Sequence, residues 1–121
     1  MTRNLSWILI IALGALGGCA SSAVPHQTMA ASEGSIRAAE EVGAGKVPSA
    51  ALHLQLAKEQ TEKAQKLIGG GDNERAKYVL MRAQADAELA ITLSKEDAAR
   101  TDAEQAMAQV RALQDGKTVV P

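Results

Sequence analysis

Two alanine-rich runs in this chain recur at four- and three-residue steps, and their spacing constrains the fold more than any other feature. The first run is Ala50, Leu54, Ala57, Thr61, Ala64 and Leu67, and the second is Ala76, Leu80, Ala83, Ala87, Ala90 and Ser94. An α-helix turns once in about 3.6 residues, so each run lays a single stripe along one side of a helix. The charged pairs Glu59 to Lys63 and Glu62 to Lys66 fall on the other side of the first helix in the favoured order. Each stripe is a packing seam. Seams of matching length, separated by Gly69-Gly70-Gly71-Asp72-Asn73, predict two antiparallel helices joined by a tight turn.

That turn is placed at Gly69, Gly70, Gly71 and Asp72. Glycine after a helix accepts the left-handed backbone of a C-terminal cap, and Asp or Asn can cap the next helix by accepting its free N–H groups. A phosphate-cradling loop is the competing reading of three glycines. It loses because no Gly-Lys-Ser/Thr follows and the glycines lie between helices, not after a strand.

The remaining punctuation extends the same reading. Met29, Ser32, Ile36 and Ala39 recur at helical spacing, with Glu33 four residues ahead of Arg37, which predicts a helix from about Thr28 to Val42 that Gly43 and Gly45 end. Pro48 suits a first helical position, because its fixed φ is already helical and its missing N–H costs nothing there. The second helix is therefore expected from Pro48 to about Ile68 and the third from Asn73 to about Leu113. Beyond Ser94 the stripe meets Asp97, Thr101 and Glu104 and recovers apolar character at Met107, Val110 and Leu113. The distal part either folds back after a kink near Lys95 to Arg100 or projects as a lone helix. The fold class that follows is all-α: an antiparallel Ala-rich helical hairpin, or a three-helix bundle, with a long C-terminal helix. The helical domain is expected over residues 28–114, with 115–121 as a short tail.

The packing material is thin. The chain has no Phe, and its aromatics are Trp7 and Tyr78. Alanine seams bury little area per residue, so the fold is modestly stable or is completed by a partner or by self-association. A single cysteine, Cys19, allows neither a disulfide framework nor a Cys-based metal site.

Residues 1–18 read as a cleaved leader: Arg3 supplies a positive start, Leu5 to Leu16 an apolar core, and Gly17-Gly18 the small residues a peptidase requires. A membrane span needs about 20 apolar residues, and this run is broken by Gly14, Gly17 and Gly18 before it reaches that length. Leu16, Gly17, Gly18 and Cys19 resemble the bacterial lipobox, which implies a covalent lipid on the Cys19 thiol and cleavage ahead of it. A chain carrying several acyl chains stays on its membrane, since each buried CH₂ contributes about 0.8 kcal/mol. Ala20-Ser21-Ser22 lacks the Asp that retains such lipoproteins at the inner membrane, so the resemblance implies the periplasmic leaflet of the outer membrane. Residues 19–27 would then be the lipidated N-terminus and a linker, in which His26 is solvated. Without residues 1–18 the chain has 12 basic and 14 acidic side chains, net −2, which offers nucleic acid no basic stripe and a bilayer no polybasic patch.

A wider resemblance covers nearly all of the chain after Cys19. It rests on Ile36-Arg37-Ala38-Ala39-Glu40-Glu41-Val42-Gly43-Ala44, Val47-Pro48, Leu54-Gln55-Leu56-Ala57-Lys58-Glu59-Gln60, Gly71-Asp72-Asn73 and Arg82-Ala83-Gln84-Ala85-Asp86-Ala87-Glu88-Leu89-Ala90. These segments resemble a family of small bacterial lipoproteins and envelope proteins carrying the helical domain of unknown function numbered 4398. The resemblance implies a helical hairpin or bundle and an envelope location, and supplies no activity.

Chemistry-bearing residues are sparse. His53 is the only histidine in the helical part, with Ser49 and Glu59 near it in sequence. A Ser-His-acid set needs its serine on a strained elbow, whereas Ser49 falls in a first helical turn, where capping or solvation is expected. His-x-x-x-Glu is absent, and Glu40-Glu41 and Glu96-Asp97 are adjacent pairs that do not share a helix face. No catalytic residue, metal site or non-covalent cofactor is expected. The expected role is structural or protein-interaction work by a lipid-anchored, non-catalytic protein, with a partner or self-contact through Lys95 to Leu113. The alternative is a ligand-binding or envelope-stress accessory module with a small apolar pocket lined by Leu54, Leu80 and Met107.

Overall fold

A computed structural model describes residues 22–116. The lipobox residues Leu16, Gly17, Gly18 and Cys19, the rest of the leader, and residues 117–121 lie outside the described residues. Among the described residues three helices follow one another: α1 (His26–Glu41), α2 (Pro48–Gly69) and α3 (Asn73–Gln114), with one 3-10 turn at Ala44–Lys46 between the first two. Among the described residues there is no strand. The all-α class holds, as a three-helix bundle in which α1 lies along both members of the α2–α3 hairpin.

α1 starts two residues before the expected Thr28. The Pro25 carbonyl already accepts from the Met29 N–H at 3.0 Å, and His26 and Gln27 fill an exposed first turn. Periodicity begins at the first side chain that packs, and a helix needs a turn of backbone ahead of it. His26 is thus helical and exposed, not part of a linker. α1 ends where Gly43 takes φ +79. Val47 is then extended, as a residue before proline prefers, and Pro48 opens α2.

The hairpin turn closes as expected. The Gly71 N–H donates to the Ile68 carbonyl and the Asp72 N–H to the Leu67 carbonyl, both at 2.9 Å, with Gly71 at φ +81. This is a Schellman closure, in which a left-handed residue lets two orphan carbonyls of the last turn be satisfied. Asp72 then caps α3 by accepting from the Arg75 N–H at 3.3 Å. The same four residues thus end one helix and begin the next.

Packing follows the seams. Every stripe position from Ala50 to Ala64 and from Ala76 to Ser94 is buried, Leu67 is half-buried, and α1 adds buried Ser32 and Ala39. Among the described residues the buried apolar core comprises nine alanines and two leucines, so its cohesion comes from the close approach that alanine permits. Two clusters mark the ends: Ala64, Ala76 and Leu80 with Met29, Leu67, Ile68 and Val79 beside the turn, and Ala39, Ala44, Ala50, Leu54 and Ala90 with Ile36, Val47, Ile91 and Leu93 at the other end. The Thr61 hydroxyl donates to the Ala57 carbonyl at 2.9 Å, which spends its one proton. Ser32 must therefore be the donor in the buried 3.0 Å Ser32–Thr61 contact that ties α1 to α2.

Fold-back of the distal segment does not occur. α3 continues unbroken through Lys95 to Arg100, and every residue from Lys95 to Gln114 is exposed except Ala112. At 1.5 Å per residue the 42-residue α3 is about 63 Å long, against about 33 Å for the 22-residue α2. α2 begins beside Leu93 to Arg100, so further residues of α3 have nothing to pack on. Asp97, Thr101 and Glu104 occupy the seam positions there, and the Thr101 hydroxyl bonds the Asp97 carbonyl of its own helix.

Candidate functional site

Two features remain once the fold has used its seams: a polar node between α2 and α3, and the projecting arm of α3. The node is centred on Asp86. His53 Nδ1 lies 3.0 Å from Asp86 Oδ1, and Gln60 Nε2 donates to Asp86 Oδ2 at 2.7 Å. Each of the three stands one place before a seam residue: His53 before Leu54, Gln60 before Thr61, Asp86 before Ala87. His53 and Gln60 are seven residues apart and share a helix face, so one carboxylate on the facing helix reaches both. The seven-residue step was readable, but the register that sets Asp86 opposite it was not. Sequence proximity pointed to Glu59 as the acid near His53, and Glu59 instead accepts from Gln55 at 2.9 Å.

The geometry of the node is that of an interhelix tie. Asp86 Oδ1 fixes the Nδ1 side of the imidazole. Ser49 is exposed one turn earlier, neither hydrogen-bonded to His53 nor capping α2, whose N-cap is Val47. Gln60 Oε1 is buried without a partner, a cost of about 1–3 kcal/mol that the bond to Asp86 offsets. Among the described residues, no group of three or more His, Cys, Asp and Glu is placed to hold a metal ion. Glu40 is exposed, as expected of solvated charge, and pairs with Lys58 at the surface between α1 and α2. The i,i+4 pairs from Glu33, Glu59 and Glu62 do not close within 4 Å, and such exposed pairs contribute little in any case. Glu96, Asp97 and Arg100 line a small open cleft with Val47, Ser49 and Leu93 at the head of α2.

The arm differs from the seam it extends. At roughly 100° per residue, Val110 lies about 160° round the helix from Ser94, so Met107, Val110 and Leu113 do not resume the buried stripe. They continue another one. Tyr78, Met81, Leu89, Met107, Val110 and Leu113, all exposed, lie within about 60° of a single line along α3, opposite the seam. α3 thus carries large apolar side chains on a second side, opposite the seam and open, interrupted by exposed Glu88, Thr92, Lys95 and Glu96. Near the tip Ala106, Met107, Val110, Arg111 and Gln114 form a shallow apolar depression. The apolar pocket expected from Leu54, Leu80 and Met107 is not assembled: Leu54 and Leu80 belong to separate clusters, and Met107 is 56% exposed on the arm.

Among the described residues no helix is long and apolar enough to cross a membrane. No curated protein and no solved structure matches the chain. The model of the family described as a domain of unknown function, DUF4398, matches residues 27–106. That span runs from the first turn of α1 through both seams and into the arm, so the chain belongs to this family.

Proposed function

We propose that this chain is a lipid-anchored, non-catalytic helical protein of the periplasmic face of the outer membrane. Its role is structural or protein-interacting, exerted by presenting the open face of α3 to another helix. One observation carries this reading: the bundle uses its seam residues internally, while large apolar side chains on the opposite side of α3 remain exposed in two groups, Tyr78, Met81 and Leu89 beside the bundle and Met107, Val110 and Leu113 on the arm. The leader supports the anchor, because Leu16-Gly17-Gly18-Cys19 puts the only thiol of the chain where an apolar run ends in small residues.

Size decides how strong such a contact can be. A stable interface buries roughly 800 Å² a side, far more than the exposed parts of Met107, Val110 and Leu113 supply. Contact through the arm alone is weak in free solution. Fixing copies or partners on one membrane raises their effective concentration, and a weak helix contact then becomes useful.

Two measurements test the proposal. Cys19→Ser should abolish membrane fractionation and normal processing; normal processing together with membrane sedimentation of the variant would overturn the anchor. Sedimentation of the protein lacking residues 1–19 should show concentration-dependent association weakened by Val110→Asp. A strict monomer whose distal amides exchange slowly would refute the contact role.

A further inference from the structure

Three independent observations place the start of α1 at the same end of the molecule as the α2–α3 turn. Asn73 Nδ2, at the first residue of α3, donates to the Ser22 carbonyl at 2.6 Å. Met29 packs into the cluster of Ala64, Ala76 and Leu80 with Leu67 and Ile68 beside the turn. The opposite cluster, with Ala39, Ala50 and Ala90, is reached only after α1 has run its length. The free arm lies beyond that second cluster, so the start of the described chain and the tip of α3 are at opposite ends.

We infer that the hairpin-turn end of the bundle is the surface that faces the bilayer, with α3 carrying its arm outward from it. This rests on the anchor proposed above. Cys19 precedes Ser22 by three residues, a reach of at most about 11 Å, whereas Leu113 stands about 60 Å along α3 from Asn73. A short tether at one end of a long rod sets which end is near the lipid. Headgroup attraction to the sides does not compete: Glu33 and Glu41 on α1, Glu59 and Glu62 on α2, and Glu88 and Glu96 on α3 distribute carboxylates around the bundle, and the net charge of −2 offers no basic face. The exposed apolar side chains of α3 are the one competing hold, and a rod lying flat on them is an outcome the test separates. The consequence for function is positional. A partner that meets Met107, Val110 and Leu113 does so tens of ångströms from the membrane surface.

The test uses the full lipidated chain in phospholipid vesicles containing a headgroup-labelled acceptor lipid. Donor dye is attached at Glu74→Cys beside the turn or at Gln114→Cys at the tip, both exposed positions, and circular dichroism of the labelled proteins is required to match that of the parent chain. Energy transfer from residue 74 should exceed that from residue 114 at least about threefold, given the length of α3 between them. Equal transfer from the two positions, meaning a rod lying flat, or stronger transfer from 114, overturns the orientation while the mass of the N-terminal peptide still shows the acyl chains. A peptide without acyl mass, from protein that leaves the vesicles, overturns the anchor and the orientation together.

Discussion

At the scale of single residues, Asp86 matters most among the polar groups because, among the described residues, it alone bonds two other side chains. Removing it leaves the His53 ring without its fixed acceptor and Gln60 with neither of its amide atoms bonded, since Gln60 Oε1 is already unpartnered. Asp86→Ala should cost roughly 1–3 kcal/mol, and His53→Ala less, because Asp86 then keeps Gln60. A urea-denaturation double-mutant cycle checks this: neighbours in one network couple by about 0.5 kcal/mol or more. Additive effects would mean that the two side chains do not act as a unit. The buried hydroxyls follow a similar asymmetry, because Thr61 accepts from Ser32 while keeping its own bond to Ala57. Loss of Thr61 strands a donor, whereas loss of Ser32 strands nothing.

At the scale of elements, α3 is two helices in energetic terms, a packed half to Ser94 and an unpacked half beyond it. A chain ending at Arg100 keeps every buried residue, so its thermal midpoint should stay within about 2–4 °C of that of the full chain, the range expected of surface changes. A chain ending at Ala87 loses Ala90 and Ser94 from the seam and should melt far lower; a large drop already at Arg100 would show that the arm packs on the bundle. The sequence announced this division only in part. Both seams and the Gly71 turn were legible, because burial in a helix repeats every 3.6 residues and a left-handed cap favours glycine. The start of α1 was not, because His26 and Gln27 are helical without packing. The His53–Asp86 contact was not, because it depends on the register between two helices, which neither helix encodes alone. Met107, Val110 and Leu113 are visible in the sequence as an apolar set, but continuing the seam to them puts them on the wrong face, since the four consecutive steps of three residues from Thr101 to Leu113 drift steadily round a 3.6-residue helix.

At the scale of the whole molecule, the two faces of α3 make opposite demands on the same residue type. On the seam, nine buried alanines across the bundle set how closely the helices approach, and a larger side chain has nowhere to go. On the open face, alanine is an exposed residue of no steric consequence until another helix arrives. Leucine at the two kinds of site separates these roles. Ala83→Leu forces methyl groups into a fully buried position and should destabilise the bundle by about 1–3 kcal/mol. Ala103→Leu, on the exposed stripe between Leu89 and Val110, should change stability by no more than about 0.5 kcal/mol while adding apolar area to the open face. Thermal melts at low concentration read the first effect, and sedimentation at rising concentration reads the second, where Ala103→Leu should associate more strongly than the parent chain. If Ala103→Leu destabilises as much as Ala83→Leu, the arm is covered within its own molecule. If it leaves association unchanged, the open face does not pair with copies of itself, and its partner is a different chain.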